Sequence, residues 1–199
     1  MTSEPSINVF EVVTRDLDGL TDARGESTKA LLISDTGITA EDVRVILGYQ
    51  VRANLTEDEC DVALYDLFAD PIIERATHTE SLLSSFENPP DMAIQVGFKP
   101  GVTDNSAQAA LDGLTTLFDH HSSAEIATTK TYAIWGVSPD HAQTIANALH
   151  NPMIERASIS SSHECEEGVW PSLDFPRMPA LPYVKPTTVN LEVPDNLSL

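Results

Sequence analysis

The chain has 199 residues, with 31 Asp and Glu against 11 Lys and Arg, for a formal net charge of −20 at pH 7. A field of that sign repels phosphate backbones and anionic lipid surfaces, which sets nucleic acid and membrane aside as partners. Hydrophobic residues make up 41% of the chain, enough for a core, yet no apolar run approaches the roughly 18 residues of a membrane span.

Met1 to Ser6 lack the charged and apolar blocks of a signal peptide. The following stretch, Ile7 to Val13, is short and β-branched and predicts a strand. Gly19 turns the chain, and Thr21 or Asp22 caps a helix expected to run to about Ile33, with Gly37 as its stop. Gly25 lies inside that helix at a cost of about 1 kcal/mol against alanine, so the first turn is expected to be irregular. Val43, Val45, Leu47, Tyr49 and Val51 alternate as a half-buried strand. Thr56-Glu57-Asp58-Glu59 is a capping box, and Cys60, Ala63, Leu64 and Leu67 follow at helical spacing. Asp70-Pro71 ends that helix, and Ile72 to Ala76 is expected to form a last short strand.

Glu80 to Pro90, with three serines and Pro89-Pro90, reads as a joint. Beyond it the pattern starts again. Met92, Ile94, Val96 and Phe98 alternate, and Ala107, Ala110, Leu111, Leu114 and Leu117 make an amphipathic helix. Ile126 to Trp135 is a strand, and Ser138-Pro139 opens a helix whose buried stripe is Ala142, Ile145, Ala146 and Leu149. Ser160 to Ser162 and the acids after them read as a polar exit. Six prolines between Pro171 and Pro194 then exclude regular structure from most of the remainder.

The two patterns share words as well as order. Asp70-Pro71-Ile72-Ile73-Glu74-Arg75-Ala76 returns as Asn151-Pro152-Met153-Ile154-Glu155-Arg156-Ala157, 81 residues on. Gly19-Leu20-Thr21-Asp22 returns as Gly101-Val102-Thr103-Asp104, 82 residues on. A unit of about 80 residues is too long for a solenoid repeat. The expected fold is therefore α+β: two β-α-β-α-β modules, residues 7–78 and 91–159, packed as a pseudo-dimer. Residues 79–90 link them, and 160–199 form an extended Pro-rich acidic arm.

Little in the chain suggests chemistry. No phosphate-binding glycine loop or dinucleotide fingerprint is present. His120-His121 invites a metal reading, but neighbours in a helix or strand point apart, so a solvated helix end is the expectation. His163-Glu164-Cys165 has soft-metal ligands but sits in the polar exit. Cys60 and Cys165 show no metal or disulfide spacing and read as reduced thiols of a cytoplasmic protein. Glu74-Arg75 and Glu155-Arg156 recur, which fits matched edges or interfaces better than catalysis. Tyr49, Phe98, Tyr132 and Trp135 fall on strand faces, where core packing is the simpler use. The expected set of catalytic, cofactor-binding and metal residues is empty.

A β-α-β-α-β unit in which Gly101 to Asn105 enters the first helix and Asn151 to Glu155 closes the second resembles the PurS family. PurS is the small subunit of phosphoribosylformylglycinamidine (FGAM) synthase of purine biosynthesis. The resemblance spans roughly Ile7 to Ile159. Val189 to Asp195 is similar to the lead-in to the synthetase portion of fused forms, so the chain reads as the front end of a longer protein. The resemblance implies a non-catalytic module that bridges a glutaminase and an ATP-dependent synthetase and helps ammonia pass between them. ATP and magnesium would then belong to the synthetase partner. The family's separate subunit holds one copy where this chain holds two, which implies a covalent pseudo-dimer. A small-molecule-sensing regulatory module is the alternative expectation, and an independent enzyme using the histidines and acids a third.

Overall fold

The computed structural model describes residues 5–17, 20–167 and 173–177. In chain order the elements are β1 (Ile7–Thr14), α1 (Ala23–Thr36), β2 (Asp42–Arg52), α2 (Glu57–Ala63), β3 (Glu74–Thr77), β4 (Met92–Phe98), α3 (Asn105–Leu117), β5 (Glu125–Trp135), α4 (Ala142–Leu149), β6 (Glu155–Ser161) and α5 (Ser162–Glu166). The fold is α+β. Among the described residues no helix is long and apolar enough to cross a membrane.

The strands form one six-stranded sheet in the order β3-β1-β2-β5-β4-β6, and every neighbouring pair is antiparallel. Exchanging β1, β2 and β3 for β4, β5 and β6 leaves that order unchanged. Its centre is the β2–β5 ladder, which runs unbroken from Asp42↔Trp135 to Arg52↔Glu125.

Helices α1 to α4 cover one face, and each core beneath them draws on both halves. Phe10, Val12 and Val51 of the first half's strands pack with Ala63, Leu64 and Phe68, and with Ala110 and Leu114 of α3. Leu32 of α1 joins Val43 and Val45 with Ile94, Ile134 and Ile145. Burial of such side chains is worth about 1.5–3 kcal/mol each, so neither half keeps its core without the other. On the opposite face Val13, Ile46, Ala93 and Ala133 lie under Leu82, Leu83 and Cys165. The joint is thus a 3₁₀ turn, Leu82–Ser85, laid on the sheet.

Several expectations are corrected. α1 runs past Ile33 to Thr36, while Gly37 closes it as expected, in the left-handed region at φ 73°. Gly25 sits in regular helix, and the close approach of β2 is what calls for glycine, since a Cβ there would lie 2.0 Å from the Val43 carbonyl oxygen. α2 passes into a π-helical turn, Leu64–Phe68. Ile72 and Ile73 belong to a turn, and β3 starts at Glu74. The polar exit is regular structure: β6 runs to Ser161, whose hydroxyl and Glu164 form a capping box for α5. Of the Pro-rich arm only residues 173–177 are described, and Val189 to Asp195 lies outside the described residues.

Candidate functional site

The repeated residues make backbone contacts. Asp22 and Asp104 are the N-caps of α1 and α3. Each also reaches the central ladder, Asp22 Oδ2 accepting from Val45 N at 3.3 Å and Asp104 Oδ2 from Thr128 N at 2.8 Å. In the Asp/Asn-Pro motif, Asp70 Oδ1 accepts from Ile72 N and Asn151 Oδ1 from Met153 N. The glutamates fold back on the same turns: Glu74 Oε2 accepts from Asp70 N at 3.0 Å, and Glu155 Oε2 from Asn151 N at 2.6 Å. These side chains satisfy amides that the turn leaves without strand partners. The arginines next door diverge. Arg75 lies over the Phe86 ring and donates to the Ser85 carbonyl. Arg156 donates to the carbonyls of Phe98 and Asp174.

That divergence leads to a cavity of about 650 Å³ at the end of the central ladder where Arg52 faces Glu125. Arg52, Lys99, Arg156 and Arg177 line it, four of the eleven basic residues in the chain. Its two acids are occupied. Glu125 pairs with Arg52, and Asp104 accepts from Ala107 N and from Thr128. Lys99 donates to the Pro152 carbonyl and Arg156 to the two carbonyls named above, so both keep their charge. Gln50 also lines the cavity, and its buried Oε1 has no partner among the described residues. The 101–105 loop and the start of α3 form another wall, with Gly101 at φ 84°. In a chain of −20 this is a concave cationic surface, the arrangement that takes an anion. Its cations are scattered through the sequence, and no spacing marks them.

A second cluster joins the halves on the helix side. His120 and His121 lie in a 3₁₀ turn after α3, and both reach Glu59, the capping-box acid of α2. The expectation of a solvated helix end holds for His120, whose side chain is 68% exposed, and is corrected for His121, whose side chain is only 11% exposed. Hydrogen bonds from the Thr56 amide and hydroxyl, with the two histidines, hold the Glu59 carboxyl down to about 2.

The remaining candidates separate. The His163 side chain is 75% exposed while Cys165 is fully buried, so they do not converge. Burial pushes the Cys165 thiol up to about 11, and Cys60 is likewise buried and raised. Tyr49 stacks on Phe68 in the core, Trp135 meets Phe86 edge-on across the sheet's other face, and Phe98 lines the cavity.

On that other face the halves match once more, with different chemistry. Glu11 is 2% exposed, and its Oε2 accepts from Leu82 N at 2.7 Å. Gln95 of β4 is 5% exposed, and its Oε1 accepts from Leu173 N at 3.1 Å. Each side chain thus anchors the segment that follows its own half. Burial pushes the Glu11 carboxyl up to about 7 despite its hydrogen bonds from Leu82 and Ser81.

No protein-family model matches the chain, and no curated protein does.

Proposed function

We propose that the chain is a non-catalytic assembly module of FGAM synthase, bridging glutaminase and synthetase parts in the cytoplasm and helping ammonia pass between them. In this reading the two halves are duplicated PurS-like modules fused as a pseudo-dimer, the Pro-rich segment is an arm toward the synthetase, and ATP with magnesium binds on that partner. One observation carries it. Ahead of its last strand each half has a turn that presents apolar side chains to solvent: Ile72 at 77% and Met153 at 82% exposure, with Ile73 and Ile154 beside them. These turns precede β3 and β6, the two outer strands of the sheet. A bridge needs two contact surfaces at its ends, and exposed apolar side chains at matched sites suit protein partners.

The test is capture of partners from native lysate with the intact chain and with Ile72→Asp and Met153→Asp variants. Recovery of a glutaminase and an ATP-dependent synthetase, or of one long synthetase chain, weakened by the substitutions, supports the proposal. Recovery of neither from purine-making cells sinks it.

The cationic cavity favours a second reading, a regulatory module that senses a small anion. Calorimetry with pyrophosphate distinguishes it: binding lost in Arg156→Gln, with partner capture absent, would replace assembly by sensing.

A further inference from the structure

His120 Nε2 lies 2.8 Å and His121 Nε2 3.3 Å from one atom, Glu59 Oε1. The three donor atoms lie within 4.8 Å of one another. Metal–ligand arms of about 2.0–2.1 Å at tetrahedral angles place donors about 3.4 Å apart. The His121–Glu59 separation is already close to that value, and the His120–Glu59 one is shorter by about 0.6 Å. His120 is the member that must shift to complete a tetrahedral set, and its side chain is 68% exposed. His121 and Glu59 are the fixed members, at 11% and 16% exposure. The His121 ring meets Phe118 edge-on. Glu59 is oriented through its other oxygen, Oε2, which accepts from Thr56 N at 2.8 Å and Thr56 Oγ1 at 2.9 Å. An outer hydrogen bond of this kind leaves Oε1 aimed at the histidines.

We infer that Glu59, His120 and His121 form a binding site for a divalent transition ion of the zinc type, with the position beside His120 left open to water. Two imidazoles and one carboxylate suit zinc and its neighbours and do not suit calcium or magnesium, which take all-oxygen shells. The ion would join α2 of the first half to the turn after α3 of the second. The opposite helix pair has no such set: the turn after α1 is Gly37-Ile38-Thr39-Ala40, and the position three after the Ser138 cap is His141. The inference does not depend on the assembly reading.

The test uses the full chain without a polyhistidine tag. Titration with Zn²⁺ should give one equivalent of binding, and Co²⁺ should give the visible absorption of a four-coordinate ion. Saturating Zn²⁺ should raise the melting temperature, reversibly with a chelator. Glu59→Gln keeps the capping box, which accepts Gln as well as Glu, yet should weaken binding at least tenfold. His120→Asn, at an exposed position, should do the same with the fold intact, while His163→Asn should bind as the parent does. Absence of Zn²⁺ binding in the parent overturns the inference. So does binding that neither Glu59→Gln nor His120→Asn weakens, which would leave the three side chains as a hydrogen-bonded strut.

Discussion

At one end of the central ladder Arg52, Lys99, Arg156 and Arg177 gather around a cavity. At the other end Asp16, Glu41, Asp42 and Glu87 line a hollow of about 330 Å³ together with Arg44. The same strands frame both, and the charge is reversed. Where the halves agree, at Asp22 and Asp104 or at Glu74 and Glu155, the shared residue holds a backbone amide. Where they differ, the side chain faces a cavity, a covering segment or a neighbouring helix. Most of the repetition in this chain marks what the backbone needs, and the Glu59, His120 and His121 cluster has no counterpart across the opposite helix pair.

The third residue of each first helix sharpens this most. It is Gly25 in α1 and Ala107 in α3. A methyl group at Gly25 meets the Val43 carbonyl oxygen at 2.0 Å, a backbone atom that moves only if α1 lifts from β2. Gly25→Ala should cost about 3 kcal/mol, at the upper end of overpacking losses. Ala107→Gly should cost only about 1 kcal/mol, the helix penalty of glycine. Chemical denaturation of both variants checks the pair. Equal losses would mean that the two helices sit at the same height on the sheet.

Gly25 also shows what the sequence leaves unread. Its propensity cost was visible, but the approach that demands it involves Val43, eighteen residues on. Periodicity and caps located the helices and strands, because those signals lie within one element. The β2–β5 pairing lies outside such signals, since it joins segments from Asp42 to Trp135 that no local pattern connects. The cationic cavity is hidden for the same reason. His120-His121 escapes the sequence pattern because adjacent side chains diverge in an α-helix or a strand, whereas a 3₁₀ turn lets both rings reach one carboxylate. Ser161-Ser162-His163-Glu164 carried a legible helix start that serine-rich composition masked.

Glu11 and Gln95 break the match electrostatically. The folded Glu11 carboxyl titrates at about 7, against an ordinary value of 4.5. Between those values the folded chain holds a proton that the unfolded chain has released. Its contribution is therefore complete below about pH 4.5 and is lost as pH rises through 7, by about 3 kcal/mol in all. Unfolding free energies at pH 5 and pH 8 should show that fall in the parent, and Glu11→Gln should remove it. Gln95→Glu should add a second fall of the same sign, because the site beneath Leu173 is as buried as the one beneath Leu82. A parent stability that is flat over this range, or one whose slope survives Glu11→Gln, would place the ionised carboxylate at ease under Leu82.

The smallest effect tests the claim about repetition directly. Glu74→Gln and Glu155→Gln each keep an oxygen able to accept from Asp70 N or Asn151 N. What is lost is the charge on that hydrogen bond, worth about 0.5–1 kcal/mol. Glu74 also pairs with Arg24 at 3.3 Å, but the Arg24 side chain is 45% exposed, so solvent reduces that term to a few tenths of a kcal/mol. The two variants should therefore melt within about a degree or two of each other, Glu74→Gln slightly lower. Partner capture should be unchanged in both, since the carboxylates point back at their own turns and leave the Ile72 and Met153 tips in place. Suppose instead that one substitution abolished capture while its melting temperature matched the other's. That glutamate would then be a contact in its own right, and its recurrence would reflect two binding edges as well as two turns.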